Sequence, residues 1–274
     1  MELKIEDLEF SYTADTPVLR DINLCITGPK FVSILGPNGV GKSTLIHCIN
    51  KILEPTKGKV YIDGTDVSTI TIKELAKIVG YVPYSANDTF PLSVVDTVLM
   101  GRHPYSSWKS LDNDLKIVYR TLRMLGITHL SMRPFNELSA GQHQKVMLAR
   151  GLVQEPKILL LDEPTSNLDI RHQIAVTKLL RKLSEEQQIL VIMISHDINI
   201  AAKYADEIIM LCGGTVYATG TPSEVITPEN LQAVYEVEAK VEDDNGRPHV
   251  VLEDAVSMDE EEYYEDDPAE PARV

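Results

Sequence analysis

Phe31-Val-Ser-Ile-Leu-Gly-Pro-Asn-Gly-Val-Gly-Lys-Ser-Thr44 is the stretch that decides the fold. Its first five residues, Phe31 to Leu35, form a continuous apolar run with the length and branched-residue content of a strand buried on both faces of a sheet. The next nine, Gly36, Pro37, Asn38, Gly39, Val40, Gly41, Lys42, Ser43 and Thr44, fit the pattern G-x-x-x-x-G-K-[ST]. Ser43 to Leu53 then reads as a helix. Strand, glycine-rich loop and helix in that order is the context in which the pattern acts as a phosphate cradle. The glycines let backbone N–H groups curl around a polyphosphate, and the helix presents its positive end to the same anion. Lys42 is placed to reach the outer phosphates of such an anion, and Ser43 to set its hydroxyl on a bridging Mg2+, with Thr44 beside it. A glycine-rich turn without a ligand is the bland alternative, and the two flanking elements argue against it.

Two more apolar runs, Ile158 to Leu161 and Ile189 to Ile194, share the character of Phe31 to Leu35. The helical pattern of Ile170 to Leu183, with Ile174, Leu179 and Leu180 recurring, lies between them. Strands alternating with helices predict an α/β fold, a P-loop NTPase core around a parallel sheet whose ligands lie at the strands' carboxyl ends. Each run stops on polar residues there. Asp162 ends one strand, where a carboxylate can hold the magnesium through its water shell. Glu163 follows and can serve as base for the water that attacks the outer phosphate. His196, after Ser195, ends another strand and can contact the terminal phosphate. A histidine after a strand is by itself more often structural than catalytic, so His196 draws its weight from the carboxylates beside it.

Around this core, Leu3 to Leu8, Val18 to Ile26 and Gly58 to Gly64 alternate or carry turn residues, which predicts an antiparallel accessory sheet. A helical subdomain is expected over about 88–150, where Leu115, Val118, Tyr119, Leu122 and Leu125 share a stripe. One domain is expected over 1–256. Residues 257–274 are acidic, with too little apolar surface to offset their ordering entropy, and are expected to be disordered. The formal net charge of the 274 residues is -15, but Glu236 to Val274 holds 15 acidic and three basic residues, so most of the acidity is local. No cluster of Lys and Arg suits a nucleic-acid backbone, which sets that class of partner aside. No run reaches the roughly 18 apolar residues that cross a bilayer. Cys25, Cys48 and Cys212 lack metal-ligand spacing and sit beside apolar residues, so all three are expected to be reduced core thiols.

Leu138-Ser-Ala-Gly-Gln142 makes the reading specific. Together with the phosphate loop, with Asp162-Glu-Pro-Thr-Ser-Asn-Leu-Asp169 and with His196, it resembles the signature set of ABC ATPases, whose usual form is Leu-Ser-Gly-Gly-Gln. The resemblance runs from Leu3 to Val251. It implies that Tyr12 stacks on adenine, that His196 is the switch histidine, and that Ser139, Gly141 and Gln142 face the ATP held by another copy. Two nucleotides would then lie between two subunits, most simply a homodimer, on the cytoplasmic face of a membrane, bound to permease subunits and served by a substrate-binding protein. Met100-Gly-Arg-His-Pro-Tyr105 and the ending Val234 to Val251 look like the ATPases of iron-siderophore, haem and cobalamin importers. In that comparison Arg102, His103 and Tyr105 would touch a membrane subunit, and an ordinary packed loop is the competing reading.

Two positions depart from the family pattern. Ala140 replaces a glycine, at little cost unless a positive φ is needed there. Tyr84 stands where glutamine is usual; its phenol could approach a metal-bound water, or Asn87 could substitute, and neither follows from the sequence. A soluble ABC ATPase serving as an assembly factor, without transport, is the rival function.

Overall fold

The computed structural model describes residues 1–13, 16–84, 92–105, 111–166 and 168–256. Asn87 and the tail from 257 onward fall outside the described residues. In chain order the strands are β1 (Glu2–Thr13), β2 (Thr16–Thr27), β3 (Phe31–Leu35), β4 (Lys57–Ile62), β5 (Thr65–Asp66), β6 (Val79–Val82), β7 (Ile158–Leu161), β8 (Leu190–Ile194), β9 (Glu207–Cys212), β10 (Thr215–Gly220), β11 (Val237–Asp243) and β12 (Pro248–Ala255). The α-helices are α1 (Lys42–Ile49), α2 (Ile72–Leu75), α3 (Val94–Leu99), α4 (Leu111–Met124), α5 (Ala140–Leu152), α6 (Ile170–Gln187), α7 (Ile198–Tyr204), α8 (Pro222–Val225) and α9 (Pro228–Tyr235).

Every residue of β3, β7 and β8 is buried. Their side chains alternate between two cores because successive residues of a strand point to opposite faces. Val32, Ile34, Ile158, Leu160, Leu190, Ile192 and Ile194 face the first core; Phe31, Leu159, Leu161, Val191 and Met193 face the second. An antiparallel sheet in the order β2-β1-β4-β5, with α1, closes the first core through Leu3, Ile5, Leu8, Leu45 and Ile46. Helices α3 to α6 close the second through residues such as Val98, Val118, Leu122, Val146 and Leu180. The hairpin β11–β12 packs with α7 and α9 in a third cluster around Ala201, Leu231, Val234 and Val250.

The main sheet has the order β10-β9-β3-β8-β7-β6. Five of its strands run parallel and edge strand β10 is antiparallel to β9. Because β3 lies beside β8 and β8 beside β7, three sequence-distant loops leave the same edge of the sheet as neighbours. These are the loop opened by Gly36, the pair Ser195-His196 and the pair Asp162-Glu163.

Several expectations change at the level of single side chains. Helix α1 ends at Ile49 rather than Leu53. Tyr119 is 38% exposed while Val118, Leu122 and Leu125 are buried, so the apolar stripe of α4 is narrower than its sequence suggests. Cys25 is exposed, because on β2 the alternating Leu24 and Ile26 turn inward. Cys48 is buried, which pushes its thiol up to about 12 and leaves it unreactive. Among the described residues no helix is long and apolar enough to cross a membrane.

Of the two readings of the segment Met100 to Tyr105, the packed loop is the one found at Arg102, which is buried rather than presented to a partner. Its Nε donates to Asp114 Oδ1 at 2.8 Å and its Nη1 to the Val153 carbonyl at 3.0 Å and Glu155 Oε2 at 3.2 Å. The guanidinium lies 4.0 Å from the centre of the Tyr105 ring, whose hydroxyl donates to the Gln154 carbonyl at 3.0 Å. The segment Met100 to Tyr105 is thus a fastening between α4 and the end of α5. Removing one member of a buried ion pair leaves an uncompensated charge, so Arg102→Ala should lower the unfolding free energy by about 3 kcal/mol. Arg102→Lys should recover only part of it, lacking the planar fork. Urea denaturation measures both, and an unchanged midpoint for Arg102→Ala would contradict the assignment.

Candidate active site

The loop from Gly36 to Gly41 is shaped by two positions that only glycine fills. Gly36 and Gly41 have φ of 147° and 98°, a left-handed region that side chains rarely adopt. Space is also lacking: a Cβ would lie 2.4 Å from the Leu211 carbonyl oxygen at Gly36 and 2.7 Å from Leu19 Cδ2 at Gly41. The loop folds over Lys42, the first residue of α1, which is buried. Its ammonium donates to the Gly36 carbonyl at 2.8 Å and the Pro37 carbonyl at 2.6 Å. Burial draws its pKa down, against the opposing charges of Glu163 and Asp162. A buried ammonium ringed by neutral carbonyls, at the start of a helix, is a ready receptor for an anion.

Ser43 and Asp162 converge next to it, the serine hydroxyl donating to Asp162 Oδ1 at 2.9 Å. Burial pushes the Asp162 carboxyl up, while Ser43 pulls it down. Two hard oxygens at hydrogen-bond distance beside a phosphate cradle are the donor set a small divalent cation requires, so these are the residues that could hold a metal.

Glu163 stands two residues past the end of β7 with φ of 46°, a conformation that costs a non-glycine residue about 1 kcal/mol or more. That backbone turns its side chain toward β8, where Glu163 Oε1 lies 2.5 Å from His196 Nε2. The second oxygen, Oε2, accepts from Ser166 Oγ at 3.0 Å. With both oxygens held, the carboxylate is oriented as a base must be.

Tyr12 is 63% exposed, edge-on to Phe10, and its hydroxyl lies 3.3 Å from Thr44 Oγ1. An exposed ring fastened to the phosphate loop offers a face for stacking a flat base. Ser139, Gly141 and Gln142 form a separate group at the start of α5. Ser139 and Gln142 cap that helix reciprocally, the Ser139 N–H donating to Gln142 Oε1 at 3.1 Å and the Gln142 N–H to Ser139 Oγ at 3.4 Å. Among the described residues, no hydrogen bond of Ser139 or Gln142 reaches the phosphate loop. Ala140 opens α5 without a positive φ, so its methyl is tolerated.

Two contributors, His47 and Tyr81, escape a reading by motif, and a third, Ser166, shows its role only in the fold. Ser166 holds Glu163 and was legible only as part of the run after it. His47 Nε2 and the Tyr81 hydroxyl meet at 2.9 Å, joining α1 to β6. Burial, together with the Asp162 charge, pushes the Tyr81 hydroxyl up to about 12. Tyr84, just beyond β6, is 48% exposed. It lies two residues past Val82, near a surface groove lined by Ile52, Ile72, Leu75, Tyr81, Pro83 and Met147. His47 belongs to no spacing pattern and only its pairing with Tyr81 reveals it, whereas Ser166 lies in the quoted run, three residues after the Glu163 it holds.

The family model described as ABC transporter matches residues 19–166. An uncharacterized ABC transporter ATP-binding protein of Methanocaldococcus jannaschii is 46% identical, over 92% of this chain and 98% of its own length. The hemin import ATP-binding protein of Bordetella avium is 38% identical, over 88% of this chain and 94% of its own. The iron(3+)-hydroxamate import ATP-binding protein of Bacillus subtilis is 34% identical, over 94% and 97%. Among solved structures, a bacterial ABC transporter cassette in dimeric form superposes with a TM-score of 0.71 at 32% identity, covering 80% of this chain and 98% of that one.

Proposed function

The chain belongs to the ABC transporter ATP-binding family and hydrolyses ATP, and from that premise we propose that it is the motor subunit of an importer for an iron-siderophore, haem or cobalamin. One observation carries the catalytic part: Glu163 and His196 meet at 2.5 Å on neighbouring strand ends, beside the Lys42 cradle and the Ser43–Asp162 pair. The similarity to a hemin and an iron(3+)-hydroxamate import protein supports the importer part.

Lys42 and the N–H groups of the loop from Gly36 to Thr44 bind the β- and γ-phosphates, and Tyr12 stacks on the adenine. Ser43 and Asp162 are the residues that would hold Mg2+, which would supply charge neutralisation at the phosphate oxygens. Glu163 accepts a proton from the attacking water as the bond between the γ-phosphorus and the ADP oxygen breaks. His196 holds Glu163 in place and reaches toward the terminal phosphate. Ser139, Gly141 and Gln142, with a helix start and no phosphate loop of their own, serve the nucleotide of a second copy. Closure of two copies on two ATP molecules, and reopening after hydrolysis, supplies the motion. Differential affinity for the closed state provides the bias.

The permease is expected on the groove that runs from α1 and α2 to α5. Ile52 and Ile72 are 53% and 70% exposed there, an apolar surface suited to a short helix on the inner face of a membrane. With Arg102 committed to Asp114, that groove takes over the contact expected of the segment Met100 to Tyr105.

Glu163→Gln should lower the ATPase rate by about 10²-fold or more while ATP affinity is kept, and Lys42→Ala should lose affinity. Steady-state turnover and calorimetry read the two; a Glu163→Gln enzyme of full activity would remove the residue from its role. Ile72→Glu should keep basal turnover and lose the stimulation given by co-expressed permease in lipid. Activity in the parent chain that no permease stimulates would favour a soluble assembly factor instead.

A further inference from the structure

We propose that His172 is a positioning residue for the signature turn: its imidazole, pinned by Asp169, sets where Ser139 and Gly141 stand and so how tightly a second copy's nucleotide is held. The inference rests on the two-copy reading above and goes beyond it in naming what fixes the half-site built by α5.

Gly141 is the starting point. It lies in the first turn of α5 without a positive φ, so backbone conformation does not explain a glycine there. Space does. A Cβ on Gly141 would lie 2.6 Å from His172 Cδ2, 3.0 Å from Nε2 and 3.2 Å from Cγ. The imidazole therefore occupies the volume that a side chain at 141 would take, and the first turns of α5 and α6 approach each other through ring and backbone.

The ring is not held there by burial, since the His172 side chain is 47% exposed. Asp169 holds it. As the N-cap of α6, Asp169 Oδ1 accepts from the His172 N–H at 2.8 Å and lies 2.8 Å from His172 Nδ1. With Nδ1 tied to the cap, Nε2 and Cδ2 turn toward Gly141. Those bonds also hold the Asp169 carboxyl below the usual range, so the anchor stays ionised through neutral pH. Ser139, Gly141 and Gln142 are the residues that the family resemblance turns toward a second copy's nucleotide, and His172 is the side chain that joins their segment to the N-cap of α6 within one copy. A side chain that merely capped α6 would influence stability alone; one that keys the two segments together alters closure while sparing the nucleotide held by the chain's own loop.

The test uses the full chain carrying Glu163→Gln, which binds ATP without turning it over. ATP-driven dimerisation is followed by sedimentation velocity across protein concentration, and ATP affinity is measured by calorimetry below the dimerisation range. His172→Ala should raise the dimer dissociation constant about tenfold while leaving the monomer's ATP affinity unchanged, since a loosely held half-site loses geometry rather than chemistry. His172→Gln, whose amide can still bond Asp169 and cover Gly141, should recover most of the loss. Gly141→Ala should weaken the dimer too, and adding His172→Ala should return part of it, because the methyl then enters the vacated space. That coupling is what a double-mutant cycle isolates. A His172→Ala dimer as tight as its parent, in a protein where Ser139→Ala weakens it, would overturn the inference and leave the two-copy reading intact. Failure of the Glu163→Gln chain to dimerise with ATP at all would overturn both.

Discussion

The structure turns on an ammonium group that has no anion of its own. Lys42 is buried at the carboxyl end of β3 with two loop carbonyls as its hydrogen-bond partners, and among the described residues it joins no ion pair. Asp162 stands nearby but accepts from the neutral hydroxyl of Ser43. The site thus keeps its positive and negative groups apart, each left with a charge that a ligand must balance. Burial exaggerates both needs, drawing the Lys42 pKa down and the Asp162 pKa up. Such an arrangement costs stability in the free chain and returns it when a polyphosphate with its cation binds.

The rest of the fold serves to hold that separation. Strands buried on both faces give the sheet two cores, so the edge where β3, β8 and β7 end is fixed from both sides. Glu163 is where the restraint becomes visible, because a glutamate at φ of 46° persists only when its surroundings over-determine it. His196 and Ser166 supply that determination, one from each side of the carboxylate. The signature turn follows a different logic: Ser139 and Gln142 cap the start of α5 for each other, and in the proposed two-copy arrangement that helix start meets a phosphate brought by another molecule.

Much of this was legible in the sequence because it is local. Three apolar runs, each ending on a named polar residue, sufficed to place β3, β7 and β8 and the residues at their ends. Gly36 and Lys42 could be read because backbone curvature and charge at fixed spacing have one common use. What escaped depends on pairing across distance. For Arg102 a partner contact and a packed loop both stayed open, because nothing local reveals Asp114 and Glu155 as its partners. His47 and His172 carry no motif and gain meaning only from Tyr81 and Gly141. Cys25 was misplaced for a simpler reason, since on an alternating strand apolar neighbours in sequence point to the opposite face.

The central claim is that each working site takes its phosphate loop from one copy and its signature turn from another. The measurement that tests it most directly is the ATPase rate of a mixture of two inactive chains, one carrying Lys42→Ala and the other Ser139→Arg. In a mixed dimer, the intact loop of the second meets the intact signature of the first, so activity absent from either chain alone should appear on mixing and be greatest near equal amounts. A mixture no more active than the sum of its parts would contradict the account and place the whole site within a single copy.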